Sequence, residues 1–250
     1  MSALVAFGRF EVGRLFRSWK FLAITVGFPV LFYMLFLGDH RAGQIVYGGV
    51  QWREYLMVSM CSFGALIAAL NAGGSRVAME RAGGWARQLR VTPMPAWSYV
   101  GVKLTASMLV VLPVVVLVEL VAGTFGGVSL SPATWVGISA LLWVTALPFA
   151  ALGVLVGFAV GTEAVFPVVT GLMFVLAYFG GLFTPVSRMP AALQAAARVL
   201  PNFHHLSLGL EVLNGHALAA PHWLALAGYT LAFGALIVWR HRAEEARGVA

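Results

Sequence analysis

Charge is scarce in this chain. Of its 250 residues only 10% are Asp, Glu, Lys or Arg, while 60% are hydrophobic, and the mean hydropathy is +0.89. A soluble domain carries roughly a quarter charged residues, so this surface cannot face water all round, and an ordinary soluble enzyme or binding module is excluded. Cysteine occurs once, at Cys61, which excludes an internal disulfide and gives no redox signal. Lysine occurs only at Lys20 and Lys103. Neither stands in the G-x-x-x-x-G-K-[ST] setting of a phosphate-cradling P-loop, so nucleotide binding of that kind is excluded. H-E-x-x-H, Cys-x-x-Cys and Gly-x-Ser-x-Gly are missing as well, leaving no motif for a metal centre or a membrane hydrolase.

What is present is a series of apolar runs, at about 21–38, 54–73, 98–122, 134–160, 164–183 and 222–239. Each comes near the length that crosses about 30 Å of hydrocarbon at 1.5 Å per residue. The runs are continuous rather than alternating, which predicts helices and not barrel strands. The expected fold is therefore all-α: an integral membrane protein with six transmembrane helices, in a single domain over residues 1–250. Prolines at 29, 113, 148 and 167 fall within spans, where neighbouring helices can satisfy the carbonyls they free. No cleavable leader is expected, since "GDHR" and not a small-residue site follows the first apolar run.

The few cations set the orientation. With a cytoplasmic N-terminus, Arg9, Arg14, Arg17, Lys20, Arg76, Arg81, Arg87, Arg90, Lys103, Arg240, Arg242 and Arg247 fall inside, against Arg41, Arg53, Arg188 and Arg198 outside. This positive-inside asymmetry predicts two cytoplasmic termini, consistent with an even number of spans. Topology and anionic lipid then account for the +7 formal charge, and no nucleic-acid partner is expected. In residues 1–20, Leu4, Phe7, Phe10, Leu15 and Trp19 alternate with Arg9, Glu11, Arg14 and Arg17, as in an amphipathic helix lying at the interface.

Four arginines, Arg76, Arg81, Arg87 and Arg90, crowd the connector 75–95 between the second and third runs. On a helical wheel Met79, Ala82, Trp85, Ala86 and Leu89 share one face; Glu80 and Arg87 lie opposite, with Arg81 and Gln88 at the flank. The Gly83-Gly84 pair predicts a bend or two short segments, and Thr92-Pro93 reads as an N-cap and first residue of the next helix. Such a helix either rests on lipid or docks a cytoplasmic partner.

The stretch "ERAGGWARQLRVTPMPAWSYVGVKL" (Glu80–Leu104) resembles the cytoplasmic loop of type-2 permeases of ATP-binding-cassette (ABC-2) exporters, in which an acidic-basic pair and a Gly precede "LRxTP". The N-terminal arm, the six runs, "GLFTPVSRMP" (Gly181–Pro190) and "LPNFHHLSLGL" (Leu200–Leu210) are similar too, so the resemblance covers essentially the whole chain. Gln88 departs from it, because members often carry an acidic residue there. The resemblance implies a permease subunit whose coupling helix, with Glu80, Arg81, Gly84, Trp85, Arg87, Gln88, Leu89, Arg90, Thr92 and Pro93, docks a separate nucleotide-binding ATPase. ATP and Mg would be bound by that partner and no cofactor by this chain. It further implies a second permease copy, identical or homologous, the plasma (inner) membrane of a prokaryote, and export of an amphipathic or lipid-like compound of the drug or antibiotic class. A stand-alone secondary transporter or channel is the alternative, and it would need intramembrane charges or a broken-helix ion site.

Other residues carry two readings each. Glu119, inside the third run near its outer end, either contacts substrate or protons or snorkels to the interface. Glu163 in "VGTEAVF" caps the fifth helix with Thr162 or makes a secondary cytoplasmic contact. Gly153, Gly157 and Gly161 form a doubled small-xxx-small pattern suited to helix packing. His204 and His205, with His216 and His222, gather in the external segment 184–220, where a hydrogen-bonded pair is expected rather than a metal centre. That segment is too polar and Pro-marked to span, and short re-entrant helices are expected between spans five and six.

Overall fold

The computed structural model describes residues 17–38, 44–47, 49–84 and 96–246, together with residues 8, 10, 11, 13 and 14 of the N-terminal arm. The elements are α1 (Trp19–Leu37), β1 (Ile45–Tyr47), β2 (Val50–Gln51), α2 (Trp52–Ala82), α3 (Ala96–Thr124), α4 (Pro132–Thr145), α5 (Leu147–Ala159), α6 (Thr162–Phe179), a 3-10 turn (Val186–Arg188), α7 (Ala191–Ala197), α8 (Pro201–Leu213) and α9 (Ala220–Ala246). The chain is a multi-pass, helical membrane protein. Five stretches among the described residues are long and apolar enough to cross a bilayer: Trp52–Ala82, Tyr99–Thr124, Pro132–Ala159, Thr162–Phe179 and Ala220–Arg240. The first apolar run forms α1, whose continuously apolar part is Ala23–Leu37.

The structure departs from the sequence reading in three places. A small antiparallel hairpin, with Ile45 opposite Gln51 and Tyr47 opposite Val50, precedes α2. The fourth run is divided, with Ala146 ending α4 and Pro148 standing in the first turn of α5, because proline cannot donate into the preceding turn. The second run is much longer than 54–73: α2 has 31 residues, about 46 Å of helix. Its start is held by a capping box, in which the Gln51 amide donates to Glu54 Oε2 (3.2 Å).

α2 is the central post of the bundle, buried on nearly every face from Tyr55 to Leu70 and packed by α1, α3, α5, α6 and α8. Small residues allow this. A Cβ on Gly153 would lie 2.7 Å from the Leu70 carbonyl oxygen, and one on Gly157 2.6 Å from that of Gly74. The α2 and α5 backbones therefore touch where side chains would hold them apart. Gly161, the third glycine of the pattern, has open space around it and serves as the N-cap of α6.

Where α6 ends, at Gly180-Gly181, irregular backbone meets the bundle. Its carbonyls are satisfied from the side: Tyr55 Oη donates to Gly181, Ser59 Oγ to Leu182 and Asn202 Nδ2 to Leu176. Non-helical backbone at membrane depth is tolerated when protein covers it in this way. α8 follows, burying Asn202, His205, Leu206, Leu208 and Leu210 against α4, α2 and α9.

Candidate functional site

The connector begins as the last turn of α2. Residues 79–82 continue that helix, which stops at Gly83; Gly84 follows with φ +70°, in the left-handed region favoured at helix ends. The Gly pair thus ends α2. Continuation of α2 also reverses the polarity assigned to the connector's start. Met79 is 65% exposed, while Glu80 turns into the bundle and is 7% exposed. Arg81 also turns inward: Nη1 donates to the Gly157 carbonyl at 3.0 Å, and the guanidinium lies over the Phe158 ring. There it meets the carbonyl-rich end of α5, which favours a cation. Trp85, Arg87, Gln88, Leu89, Arg90, Thr92 and Pro93 lie outside the described residues.

Glu80 anchors a buried ion cluster. Lys103 of α3, 1% exposed, places Nζ 2.7 Å from the Glu80 carboxylate and 2.6 Å from Glu11 Oε2 of the arm. Arg14, also on the arm, pairs with Glu80 and lies 3.5 Å from Glu11 Oε1. Tyr99 Oη donates to Glu80 Oε2 at 2.8 Å. Two carboxylates and two cations balance, which is what allows Glu11, Glu80 and Lys103 to leave water while Arg14 stays partly exposed. The cluster joins three separate stretches of chain (the arm, the end of α2 and the start of α3) directly beside the connector. Glu11 and Lys103 were not singled out from sequence as site residues. Glu11 is one carboxylate among the arginines of the arm and Lys103 a lone lysine in an apolar run, and only the fold brings them together.

Beside the cluster a cavity of about 760 Å³ opens between three helices. α1 contributes Phe21, Ile24, Thr25 and Phe28; α2 contributes Ile67, Asn71, Ser75, Arg76, Met79 and Glu80; α6 contributes Phe166, Thr170, Met173 and Phe174. Arg14 and Ser18 close the end nearest the connector. The volume falls in the range of small-molecule sites, and the lining mixes apolar and uncharged polar side chains with the charged groups, Arg14, Arg76 and Glu80, at one end.

The remaining residues lie apart from this region. Glu119 does not snorkel: it is 6% exposed and accepts a hydrogen bond from Ser139 Oγ of α4. Glu163 is exposed in the first turn of α6, where a carboxylate suits the helix N-terminus, but no side chain caps that helix. His204 Nδ1 lies 2.8 Å from His222 Nδ1, and His222 Nε2 lies 3.6 Å from Glu211 Oε1, tying α8 to the start of α9. Burial, then the neighbouring His222, lowers the His204 pKa below its ordinary value. His205 is fully buried. Thr145 Oγ1 donates to the Leu141 carbonyl (2.7 Å) and so accepts from His205 Nδ1 at 2.8 Å. Among the described residues no three His, Cys, Asp or Glu side chains converge as metal ligands.

Comparison with known proteins bears on the whole chain. The family profile described as "ABC-2 family transporter protein" matches residues 45–239. The protein named "Putative transport permease YvfS", from Bacillus subtilis (strain 168), is 27% identical over 246 residues, which covers 94% of this chain and 96% of that protein. The profile takes in α2, the connector, the cavity walls on α2 and α6, and most of α9.

Proposed function

The chain belongs to the ABC-2 family of transporter proteins, and from that premise we propose that it is the permease subunit of an ATP-driven exporter. In this reading it has six spans with both termini in the cytoplasm, pairs with a second permease, and draws work from two copies of a separate ATPase subunit that carries the ATP and Mg. The chain itself binds no cofactor. Residues 80–93 transmit the push. The substrate is an amphipathic or lipid-like molecule of the drug or antibiotic class, and the setting is a prokaryotic plasma membrane.

The observation that supports this most is the cluster of Glu11, Arg14, Glu80, Tyr99 and Lys103. A force on the connector has to enter stiff elements if it is to move spans. The cluster binds the connector's first residues to α3 and to the arm, so they shift as one body. Rigid-body displacement of packed helices is how such transitions are commonly made. The cavity against α2 and α6 lies beside that lever, where a small rotation would change its opening.

Glu119 is the observation on the side of a stand-alone, ion-driven transporter, since buried intramembrane carboxylates mark proton or ion paths. One experiment separates the two. The chain is purified from its own cells in mild detergent, and co-purifying ATPase activity is measured for the native form and for R87A and L89A. The exporter reading expects an associated ATPase, lost or uncoupled in both variants. Transport by the isolated chain under a proton gradient, abolished by E119Q, would replace it.

A further inference from the structure

We propose that the cavity between α1, α2 and α6 takes an anionic phospholipid of the adjoining leaflet, with its head group on Arg76 and its chains against the phenylalanines. The inference rests on the proposed function only in taking the connector end of the cavity as cytoplasmic. The binding itself requires neither an ATPase nor transport.

The first argument is the charge that is left over. Arg14 is committed to Glu80 and Glu11, and both Glu80 oxygens are engaged, by Arg14, Lys103 and Tyr99. Arg76 lines the same end of the cavity, yet among the described residues no carboxylate pairs with it. Its guanidinium is laid over the Phe21 ring at 5.4 Å. A guanidinium laid over an aromatic face at the end of an apolar cavity suits a phosphate, which accepts two parallel hydrogen bonds from such a fork. The lining carries Arg14 and Arg76 against Glu80, one net positive charge, which disfavours a cationic ligand.

The second argument is the gradient of polarity. Ile67, Asn71 and Ser75 recur every four residues along one face of α2 and lead to Arg76. The wall therefore changes from apolar to cationic over about 13 Å of helix rise. Opposite it, α6 presents Phe166, Met173 and Phe174 with one uncharged polar group, Thr170. A bilayer lipid has the same order, charged at the interface and hydrocarbon toward the midplane. A compact soluble anion would leave the apolar length of the cavity unused.

The test uses the full chain in phosphatidylcholine nanodiscs doped with a photoactivatable phosphatidylglycerol, and labelled peptides are mapped by mass spectrometry. Labels are expected on α1, α2 and α6 around the cavity. R76Q should cut them about tenfold, the loss expected for one charge-assisted hydrogen-bonding site. T170W, which fills the cavity without altering its charge, should cut them as well; each variant is checked for a native melting temperature. If R76Q does not fold, T170W decides. Equal labelling by a phosphatidylcholine probe at the same mole fraction would show ordinary boundary lipid and overturn the proposal. So would full competition by millimolar glycerol phosphate, which would mark a site for soluble anions. If cavity labelling occurs in a chain that associates with no ATPase, the exporter reading fails and the lipid site stands. If an ATPase couples but both probes label alike, only the lipid site fails.

Discussion

Lys103 bears a burden out of proportion to one side chain. It is 1% exposed and has Glu11 on one side and Glu80 on the other, so its ammonium is what allows two carboxylates to be buried together. Removing one partner of a buried ionic group costs about 3–5 kcal/mol, because the opposite charge is stranded. K103M should therefore lower the thermal unfolding midpoint sharply. E80Q combined with K103M should recover part of that loss, since the double variant strands less charge. Midpoints for the two single variants and the double variant make the measurement. A K103M protein as stable as the native chain would show that the cluster does not hold the arm. Glu80 teaches a related point. The helical wheel sends it outward with Arg87, yet the carboxylate points inward, because α2 runs on to Ala82 and carries that face past α3 and the arm.

At the scale of elements, the contact of α2 with α5 depends on missing side chains. Any Cβ at Gly153 or Gly157 would press on backbone carbonyl oxygens at 2.7 or 2.6 Å, and backbone cannot step aside as a rotamer can. G153V and G157V should each separate the two helices and reduce folded yield severalfold, beyond the 1–3 kcal/mol of ordinary overpacking. G161A, with nothing within 4 Å of the added methyl, should leave folded yield close to native. Detergent-solubilised yield and melting temperature check all three. Three glycines at equal spacing look alike in sequence. They part company because α5 ends at Ala159, so the third glycine no longer lies on the packed face.

For the whole molecule the question is which side each turn faces. In the proposed topology the turn between α3 and α4 lies outside and that between α5 and α6 lies inside. The native thiol, Cys61, is fully buried, so single cysteines can be introduced against a silent background. A133C, exposed in the first turn of α4, should react with an impermeant maleimide on intact cells; A164C, exposed in the first turn of α6, should react only after permeabilisation. Labelling of A164C from outside would invert or redraw the arrangement.

Much was legible before any coordinates. Membrane residence, helical architecture, five of the apolar runs as span-length helices and the family followed from composition, run length and the "ERAGGWARQLRVTP" stretch, because hydrocarbon thickness and backbone satisfaction leave a chain few ways to cross a bilayer. Those constraints act locally along the chain, so sequence alone expresses them. The pairing of Glu11 with Lys103 across 92 positions, the inward turn of Glu80 and Arg81, the capture of the α6 end by Tyr55, Ser59 and Asn202, and the cavity at Arg76 were decided by tertiary structure alone. Each depends on which faces of distant helices meet, and in a chain apolar on nearly every face hydrophobic periodicity carries no record of that choice.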